Sequence, residues 1–144
     1  MNERDAITLA ETLLADFGCD GWRVEIDPRA TRRFGQCRYS TKAIGLSRKL
    51  VALNDEATVS NTIRHEIAHA LAGPNAGHGP LWRAQCAVTG ARPERCYNAD
   101  QVIGVPPAWR FVCEVCGATG TRQRKPSRPM LHTRDSGNLR WERS

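Results

Sequence analysis

The motif His-Glu-x-x-His at residues 65–69, followed by a further histidine at position 78, constrains this chain more than any other feature. Three of the four histidines lie within these fourteen residues. Histidines four residues apart on an α-helix lie on one face, about 40° apart around the axis, so both rings can reach one ion. A catalytic zinc ion needs three protein ligands and one open position. The spacing therefore predicts that His65, His69 and His78 hold a catalytic zinc ion, with Glu66 beside them to hold a water molecule.

The segment that carries the motif has the pattern of an amphipathic helix. A capping residue and acids stand at residues 54–56, and Gly73-Pro74 ends the periodic pattern. An apolar stripe at i,i+4 spacing runs through the segment: Val59, Ile63, Ile67 and Leu71. Because residues two apart point about 200° from one another, this stripe faces away from the histidines. We therefore expect one helix face to pack on a core and the other to line a cleft.

The remaining patterns predict a small α+β domain. Periodicity predicts two further helices, over residues 3–17 and 80–88, and three strands, over residues 22–26, 34–39 and 42–46. The last two strands are expected to form a hairpin around Ser40-Thr41, whereas residues 90–107 carry only a loop-like signal. We therefore expect helices and short antiparallel strands around the helix that bears the motif.

Length and composition are those of one globular domain with a small appendage. The chain has 144 residues, of which 40% are hydrophobic, and no run approaches the length of a transmembrane helix. Its N-terminus is mixed in charge and does not read as a secretory signal. We therefore expect a cytoplasmic monomer that makes no use of a membrane. Its six cysteines are interpreted as thiols or metal ligands rather than as disulfides.

The net charge of +6 is concentrated towards the C-terminus. Residues 117–144 hold seven basic and two acidic residues, whereas residues 1–116 hold fourteen and thirteen. We expect a boundary near Pro106-Pro107, so that residues 1–107 form the main domain and residues 108–144 a basic element. The basic cluster consists of Arg122, Arg124, Lys125 and Arg128. Such a run, flanked by two tryptophans, predicts contact with DNA phosphates without sequence preference, and the alternative is a solvated loop.

A second candidate metal site lies in the basic element. Two cysteines three residues apart, Cys113 and Cys116, form half of a zinc ribbon, because thiolates at this spacing on a tight turn chelate one ion. No second pair of this kind exists, but His132 and Asp135 stand at the expected distance with the same separation. A structural zinc site of these four residues is one interpretation. A set with Cys96 in place of Asp135, and a ribbon that has lost its metal, are the alternatives.

Together these motifs resemble the SprT-like family of zinc metalloproteases, which includes the Spartan-type DNA–protein crosslink proteases. The resemblance is carried by residues 64–71 and 77–82, by the run from 34 to 47, and by the downstream pair of cysteines. It implies a zincin-like metalloprotease domain followed by a zinc-ribbon-like element. The chain departs from many family members by carrying His132 and Asp135 where those members carry cysteines, and this departure concerns the second zinc ion alone.

The resemblance implies His65, His69 and His78 as zinc ligands and Glu66 as the general base, in agreement with the spacing argument. The implied function is a zinc-dependent endopeptidase acting on DNA-associated or DNA-crosslinked proteins. Tyr39 is a candidate to stabilise an oxyanion only because it offers a phenol, and a packing role in the core or on a strand surface is the favoured interpretation. Two other functions stay open: a DNA-binding zinc protein with a vestigial protease site, and a zinc amidase acting on a small substrate.

Overall fold

A computed structural model describes residues 1–98 and 100–144. The chain divides into two compact units, Met1–Val105 and Pro106–Ser144. The described residues form four helices and two three-stranded sheets, which confirms the predicted α+β class. Within the described part of the chain, no helix is both long and apolar enough to cross a membrane.

The first unit contains all four helices and one of the sheets. Its helices are α1 (Glu3–Asp16), α2 (Arg48–Leu53), α3 (Glu56–Ala72) and α4 (Pro80–Thr89), and its strands are β1 (Arg23–Asp27), β2 (Gly35–Arg38) and β3 (Ala43–Ser47). The three predicted helices are confirmed as α1, α3 and α4. Helix α2 was not predicted, because six residues are too few to show a helical period. The side chain of Ser47 begins it by accepting a hydrogen bond from the Leu50 N–H at 3.2 Å.

The sheet of the first unit has the strand order β1-β3-β2. Strands β2 and β3 form the predicted antiparallel hairpin. Strand β1 pairs with β3 in parallel, so the expectation of antiparallel strands throughout is wrong for β1. The Asp27 side chain accepts hydrogen bonds from the N–H groups of Arg29 and Ala30, at 2.8 and 3.0 Å. This turn leads the chain away from β1, and β2 then pairs with the far edge of β3.

The core of the first unit forms on the predicted apolar face of α3. Val59, Ile63 and Ile67 are fully buried, whereas the fourth member of the stripe, Leu71, is only partly buried. They pack with apolar residues of α1, α2 and β3 in one cluster. Burial of a side chain of this size contributes about 1.5–3 kcal/mol. This packing holds α3 against the sheet and leaves its opposite face for the histidines.

The second unit is built on an antiparallel sheet. Its strands are β4 (Trp109–Cys113), β5 (Thr119–Arg122) and β6 (Leu139–Arg143), in the order β5-β4-β6. Trp109 lies opposite both Arg122 and Arg143, and Phe111 lies opposite Trp141. Directly opposed residues share a face of the sheet, so one face carries aromatic rings together with arginines. The rings of Phe111 and Trp141 pack with their centroids 5.2 Å apart.

Candidate active site

Helix α3 and the turn that follows it bring three imidazole rings together. The Nε2 atom of His78 lies 3.1 Å from Nε2 of His69 and 3.3 Å from Nε2 of His65. A tetrahedral zinc ion with Zn–N bonds of about 2.0–2.1 Å separates its ligand nitrogens by about 3.3 Å. A single proton on the His78 nitrogen could satisfy only one of its two neighbours. The three histidines therefore fit a shared zinc ion better than a hydrogen-bonded cluster.

Burial keeps these imidazoles neutral at neutral pH. Desolvation, followed by the like charge of the neighbouring histidines, lowers the pKa of His65 and of His69 to about 4. Desolvation and the charge of Arg95 also lower the pKa of His78. Neutral imidazole is the form that binds a metal through its free lone pair. The protonation state of the triad therefore suits metal binding.

Trp82 of α4 lies against all three rings. Its ring centroid is 4.8 Å from that of His65, 5.4 Å from His69 and 4.6 Å from His78, and its side chain is buried. Close packing on a rigid indole restricts the planes of the imidazoles. The sequence patterns gave Trp82 no role beyond the family resemblance. Its spacing of four residues from Cys86, also buried on α4, is the signal that could have marked it as inward-facing.

Glu66 lines the same cleft from a buried position, with 9% of its surface exposed. Its carboxylate accepts a hydrogen bond from the backbone N–H of Cys37 in β2. Burial raises the pKa of Glu66 to about 7, although the Cys37 hydrogen bond and the charge of Arg33 oppose this rise. A group with a pKa near neutrality is suited to accept a proton and return it.

Gly35 at the start of β2 sets the distance between that strand and Glu66. A Cβ atom built at Gly35 would lie 2.8 Å from Cγ of Glu66 and 2.9 Å from Cγ2 of Thr62. Such distances are too short for real contacts, so only glycine lets β2 run this close to α3. A glycine inside a predicted strand is the sequence signal for such a close approach. The sequence patterns above nevertheless assigned no role to Gly35.

For the peptidase activity that the resemblance implies, we expect Gly35→Ala to lower kcat/KM by about 10- to 100-fold, because the new methyl group displaces the Glu66 carboxylate. The same crowding should reduce the free energy of unfolding by about 1–3 kcal/mol. Zinc content should not change, because the histidines are untouched. Gly45→Ala is the matched control, since its Cβ would meet nothing closer than 3.7 Å. Equal activity of the two variants would contradict a positioning role for Gly35.

Tyr39 joins the end of β2 to the end of α3. Its hydroxyl lies 3.0 Å from the carbonyl oxygen of His69 and 3.2 Å from that of Gly73. The last carbonyls of a helix lack partners within the helix, and this phenol supplies one. The Tyr39 proton is thus committed to the backbone, which favours the packing interpretation of this residue over stabilisation of an oxyanion.

The segment that follows α4 forms one wall of the cleft, although its described residues include no helix or strand. The ring of Tyr97 lies 6.0 Å from that of Phe34, and its hydroxyl hydrogen-bonds to Thr62. The Asn54 side chain accepts from the Ile103 N–H at 2.7 Å and donates to the Ile103 carbonyl at 2.9 Å. These contacts are not periodic along the chain, which explains why the sequence signal there is weak.

Four side chains of the second unit converge as the second candidate metal site. The ligand atoms of Cys113, Cys116, His132 and Asp135 all lie within 4.8 Å of one another. Sγ of Cys116 is 3.4 Å from Nδ1 of His132, and Sγ of Cys113 is 3.3 Å from Oδ1 of Asp135. Tetrahedral zinc bonds of about 2.0–2.3 Å separate such ligand atoms by about 3.5 Å. The alternative ligand Cys96 does not belong to this group; it lines the cleft of the first unit.

Two similar turns present these ligands. The Gly117 N–H donates to the Cys113 carbonyl at 2.9 Å, and the Ser136 N–H donates to the His132 carbonyl at 2.8 Å. Both turns place the fourth residue after the first ligand in a left-handed conformation, with φ of 72° at Gly117 and 54° at Ser136. Gly137 leaves room for the Cys113 thiol, because a Cβ at position 137 would lie 2.6 Å from Sγ of Cys113. The ligands therefore depend on the backbone geometry of both turns.

Hydrogen bonds within this cluster shift the pKa values of Asp135 and Cys116. Those from the Cys116 thiol, the Gly137 backbone N–H and His132 hold the pKa of Asp135 well below its usual range. The bond to Asp135 in turn raises the pKa of the Cys116 thiol. Because a zinc ligand must be a thiolate, metal binding at this cluster should release protons.

The four residues of the basic cluster, Arg122, Arg124, Lys125 and Arg128, are all exposed. None of the four forms an ion pair with a carboxylate of the described residues. Nζ of Lys125 lies 5.4 Å from the centre of the Trp109 ring, and the guanidinium carbon of Arg143 lies 4.7 Å from it. Cations and an aromatic ring thus occupy one patch of the second unit.

The SprT-like family model matches residues 3–100, which is more than half of the chain. No curated protein matches the chain. The family match covers α1 to α4, and with them the histidine triad, Glu66 and Trp82, whereas the second unit lies outside it. On the strength of this match, which agrees with the resemblance seen in its motifs, the chain belongs to the SprT-like family.

Proposed function

We propose that the chain is a zinc-dependent endopeptidase of zincin-like fold that hydrolyses DNA-associated or DNA-crosslinked proteins. One observation carries the proposal: Nε2 of His78 lies 3.1 Å from that of His69 and 3.3 Å from that of His65, and these histidines share a cleft with the buried carboxylate of Glu66. Membership of the SprT-like family supports a metalloprotease-like function. A vestigial site is disfavoured, because a purely structural metal would not need a carboxylate held in place beside it.

In this proposal, His65, His69 and His78 hold the zinc ion, and Glu66 is the general base. The ion, when bound, supplies Lewis-acid polarisation of the scissile carbonyl and of a water molecule. Glu66 accepts the proton of that water and delivers it to the leaving amine. The Cys37 N–H holds the carboxylate in position for both transfers, so the carboxylate need not reorganise between them.

The cleft is large enough for a peptide segment as well as for a small amide. Its volume is about 900 Å³, and its lining comes from the loop before β2, from β2 itself, from α3 and from the segment after α4. This volume lies at the upper end of the range for small-molecule pockets, roughly 300–1,000 Å³. An extended polypeptide can occupy such a space on both sides of the scissile bond.

We also propose that Cys113, Cys116, His132 and Asp135 hold a second, structural zinc ion. Four protein ligands leave no open position, which is the arrangement of structural rather than catalytic zinc. The unit Pro106–Ser144 is small and has a single three-stranded sheet, so a bound ion would supply much of its stability.

We expect the purified chain to contain about two zinc ions and Cys113→Ser to contain about one, because removing a thiolate opens the structural site. The variant should also lose protection of the second unit against limited proteolysis. Elemental analysis measures the first effect, and mass spectrometry of the fragments measures the second. Cys96→Ser is the control. A loss of zinc from Cys96→Ser instead would identify Cys96 as the ligand, and one zinc ion in all three proteins would mean that the ribbon holds no metal.

The proposed partner of the second unit is DNA. The unit carries eight basic and three acidic residues, and its basic cluster is free of carboxylate partners among the described residues. Phosphate contacts carry no base information, so binding should show little sequence preference. The aromatic rings on the same sheet face as Arg122 and Arg143 add surfaces for base stacking.

We expect simultaneous replacement of Arg122, Arg124, Lys125 and Arg128 by alanine to weaken DNA binding and to flatten its salt dependence. The slope of log affinity against log salt should fall by about 0.7–0.9 for each phosphate that the variant no longer neutralises. DNA should stimulate cleavage of a DNA-bound protein by wild type and not by this variant. Cleavage of an unstructured protein without DNA should be equal for the two. Overlapping salt titrations would mean that the cluster is a solvated loop.

A further inference from the structure

The cleft of the first unit has an uneven distribution of charge. Among the described residues, three arginines line it, Arg32, Arg33 and Arg95, whereas Glu66 is the single carboxylate. Arg32 and Arg33 belong to the loop that precedes β2, and Arg95 belongs to the segment that follows α4. All three are exposed, and none forms an ion pair with a carboxylate of the described residues.

The two arginine-bearing segments meet beside the candidate zinc ligands. Phe34, next to Arg33, packs against Tyr97, two residues after Arg95, with ring centroids 6.0 Å apart. This contact brings both segments to one cleft that also contains the histidine triad. The arginines therefore line the cleft that a peptide must enter for Glu66 to reach the scissile bond.

Among the described residues, Glu66 is the one carboxylate that lines the cleft with these arginines, and the charge of Arg33 acts on it. Glu66 is buried and already accepts a hydrogen bond from the Cys37 N–H. Glu94 lines a small depression beside the cleft, but Arg92 lines the same depression and balances it. A cleft lined by charges of one sign focuses the electrostatic field and concentrates ligands of the opposite sign. Guanidinium groups, in addition, bind carboxylates through two parallel hydrogen bonds.

We propose that this cleft selects peptide segments that carry Asp or Glu side chains beside the scissile bond, and that Arg32, Arg33 and Arg95 bind those carboxylates. The inference rests on the proposed peptidase function and adds a substrate class to it. A peptide is favoured over a nucleic acid because the arginines line the same concave surface as Glu66 and the histidines, whereas the exposed basic cluster of the second unit is open to a phosphate backbone.

The test compares peptides that share one cleavable core and carry Asp/Glu, Asn/Gln or Lys residues on both sides of it. We expect wild-type, zinc-loaded protein to cleave the acidic peptide with a kcat/KM roughly 5- to 20-fold above that of the neutral one, because an exposed ion pair contributes up to about 5-fold. The lysine peptide should be the poorest. About 1 M salt should remove most of the preference, because the Debye length is then about 3 Å.

Two variants assign the preference to the arginines. Replacement of Arg32, Arg33 and Arg95 together by glutamine should bring acidic and neutral peptides within about 2-fold of each other. Arg83→Gln, at an exposed position of α4 outside the cleft lining, should keep the wild-type preference. Circular dichroism checks that the triple variant is folded. Equal cleavage of acidic and neutral peptides by wild type, or an unchanged preference in the triple variant, would overturn the inference.

A binding measurement separates this inference from the proposed function. Fluorescence anisotropy with Glu66→Gln protein measures peptide affinity without cleavage. Tighter binding of the acidic peptide, lost in the combined arginine variant, would support the inference even if wild type cleaved no peptide. Cleavage of all peptides with equal affinity for each would leave the peptidase function intact and overturn the inference. The inference would also be overturned if a short oligonucleotide displaced the acidic peptide and this displacement required the same three arginines. The cleft would then be a phosphate-binding site.

Discussion

Glu66→Gln should reduce proteolysis by about 10²- to 10⁴-fold, the usual contribution of general acid–base catalysis. An amide has the shape of the carboxylate and can still accept the Cys37 hydrogen bond, but it cannot accept the proton of the attacking water. The zinc content and the fold should be those of wild type. Cleavage of an unstructured protein, followed by mass spectrometry of the products, measures the loss.

Glu56→Gln provides the matched control for this variant. It makes the same chemical change in the first turn of the same helix, at an exposed position outside the cleft. Its activity should stay within about 2-fold of wild type, because a first-turn acid contributes only about 0.3–1 kcal/mol to the helix. Wild-type activity in Glu66→Gln would show that another group is the base.

Glu66→Gln should also change the pH dependence of the stability of the metal-free protein. Burial raises the pKa of Glu66 to about 7 in the folded state, above its ordinary value of 4.5. The folded state therefore holds more protons between these two pH values, and wild-type stability falls as pH rises through them. Glu66→Gln removes this loss, so metal-free Glu66→Gln should be more stable than metal-free wild type at pH 8. Chemical denaturation at pH 5 and pH 8 compares the two.

Replacing His65, His69 or His78 by alanine should remove the catalytic zinc ion and with it all measurable proteolysis. Each substitution leaves two imidazoles, fewer than the three protein ligands that a catalytic zinc site uses. The second unit should keep its own ion, so the zinc content should fall from about two to about one per chain. Elemental analysis together with the cleavage assay measures both effects.

Asn75→Ala is the control for the turn that carries His78, because Asn75 is an exposed residue of the same turn. It should keep both zinc ions. A double variant, His78→Ala with Cys113→Ser, should contain almost none, since each change empties a different site. Full zinc content in all three histidine variants would refute the proposed ligand set.

The geometry of α3 was predictable because it depends on neighbours along the chain. Residues four apart share a helix face by helical geometry alone, which brings His65 and His69 together without reference to the rest of the fold. The helix begins where the Asp55 side chain accepts the Thr58 N–H at 2.9 Å, and it ends at Gly73 with φ of 93°. Both signals are local and can be read from residue types.

The tertiary contacts that hold the histidines and Glu66 in place were not predictable from such local signals. The packing of Trp82 against His65, the hydrogen bond from the Cys37 N–H to Glu66, and the close approach at Gly35 each join residues of different helices or strands. The wall formed after α4 depends on side chains such as Asn54, which bonds to both the N–H and the carbonyl of Ile103. Contacts of this kind leave no period in the sequence, so the loop-like reading of that segment missed its place in the cleft.

By itself, the sequence determined the helical phase of the motif, the identity of the candidate ligands and the hairpin of β2 and β3, because each follows from residue spacing and local turns. Only the tertiary structure decided that β1 runs parallel to β3, that the edge of β2 holds Glu66, and that arginines from two separate segments line one cleft. The physical reason is that strand order and cleft walls are chosen by burial of the shared core, a property of the whole unit rather than of any segment.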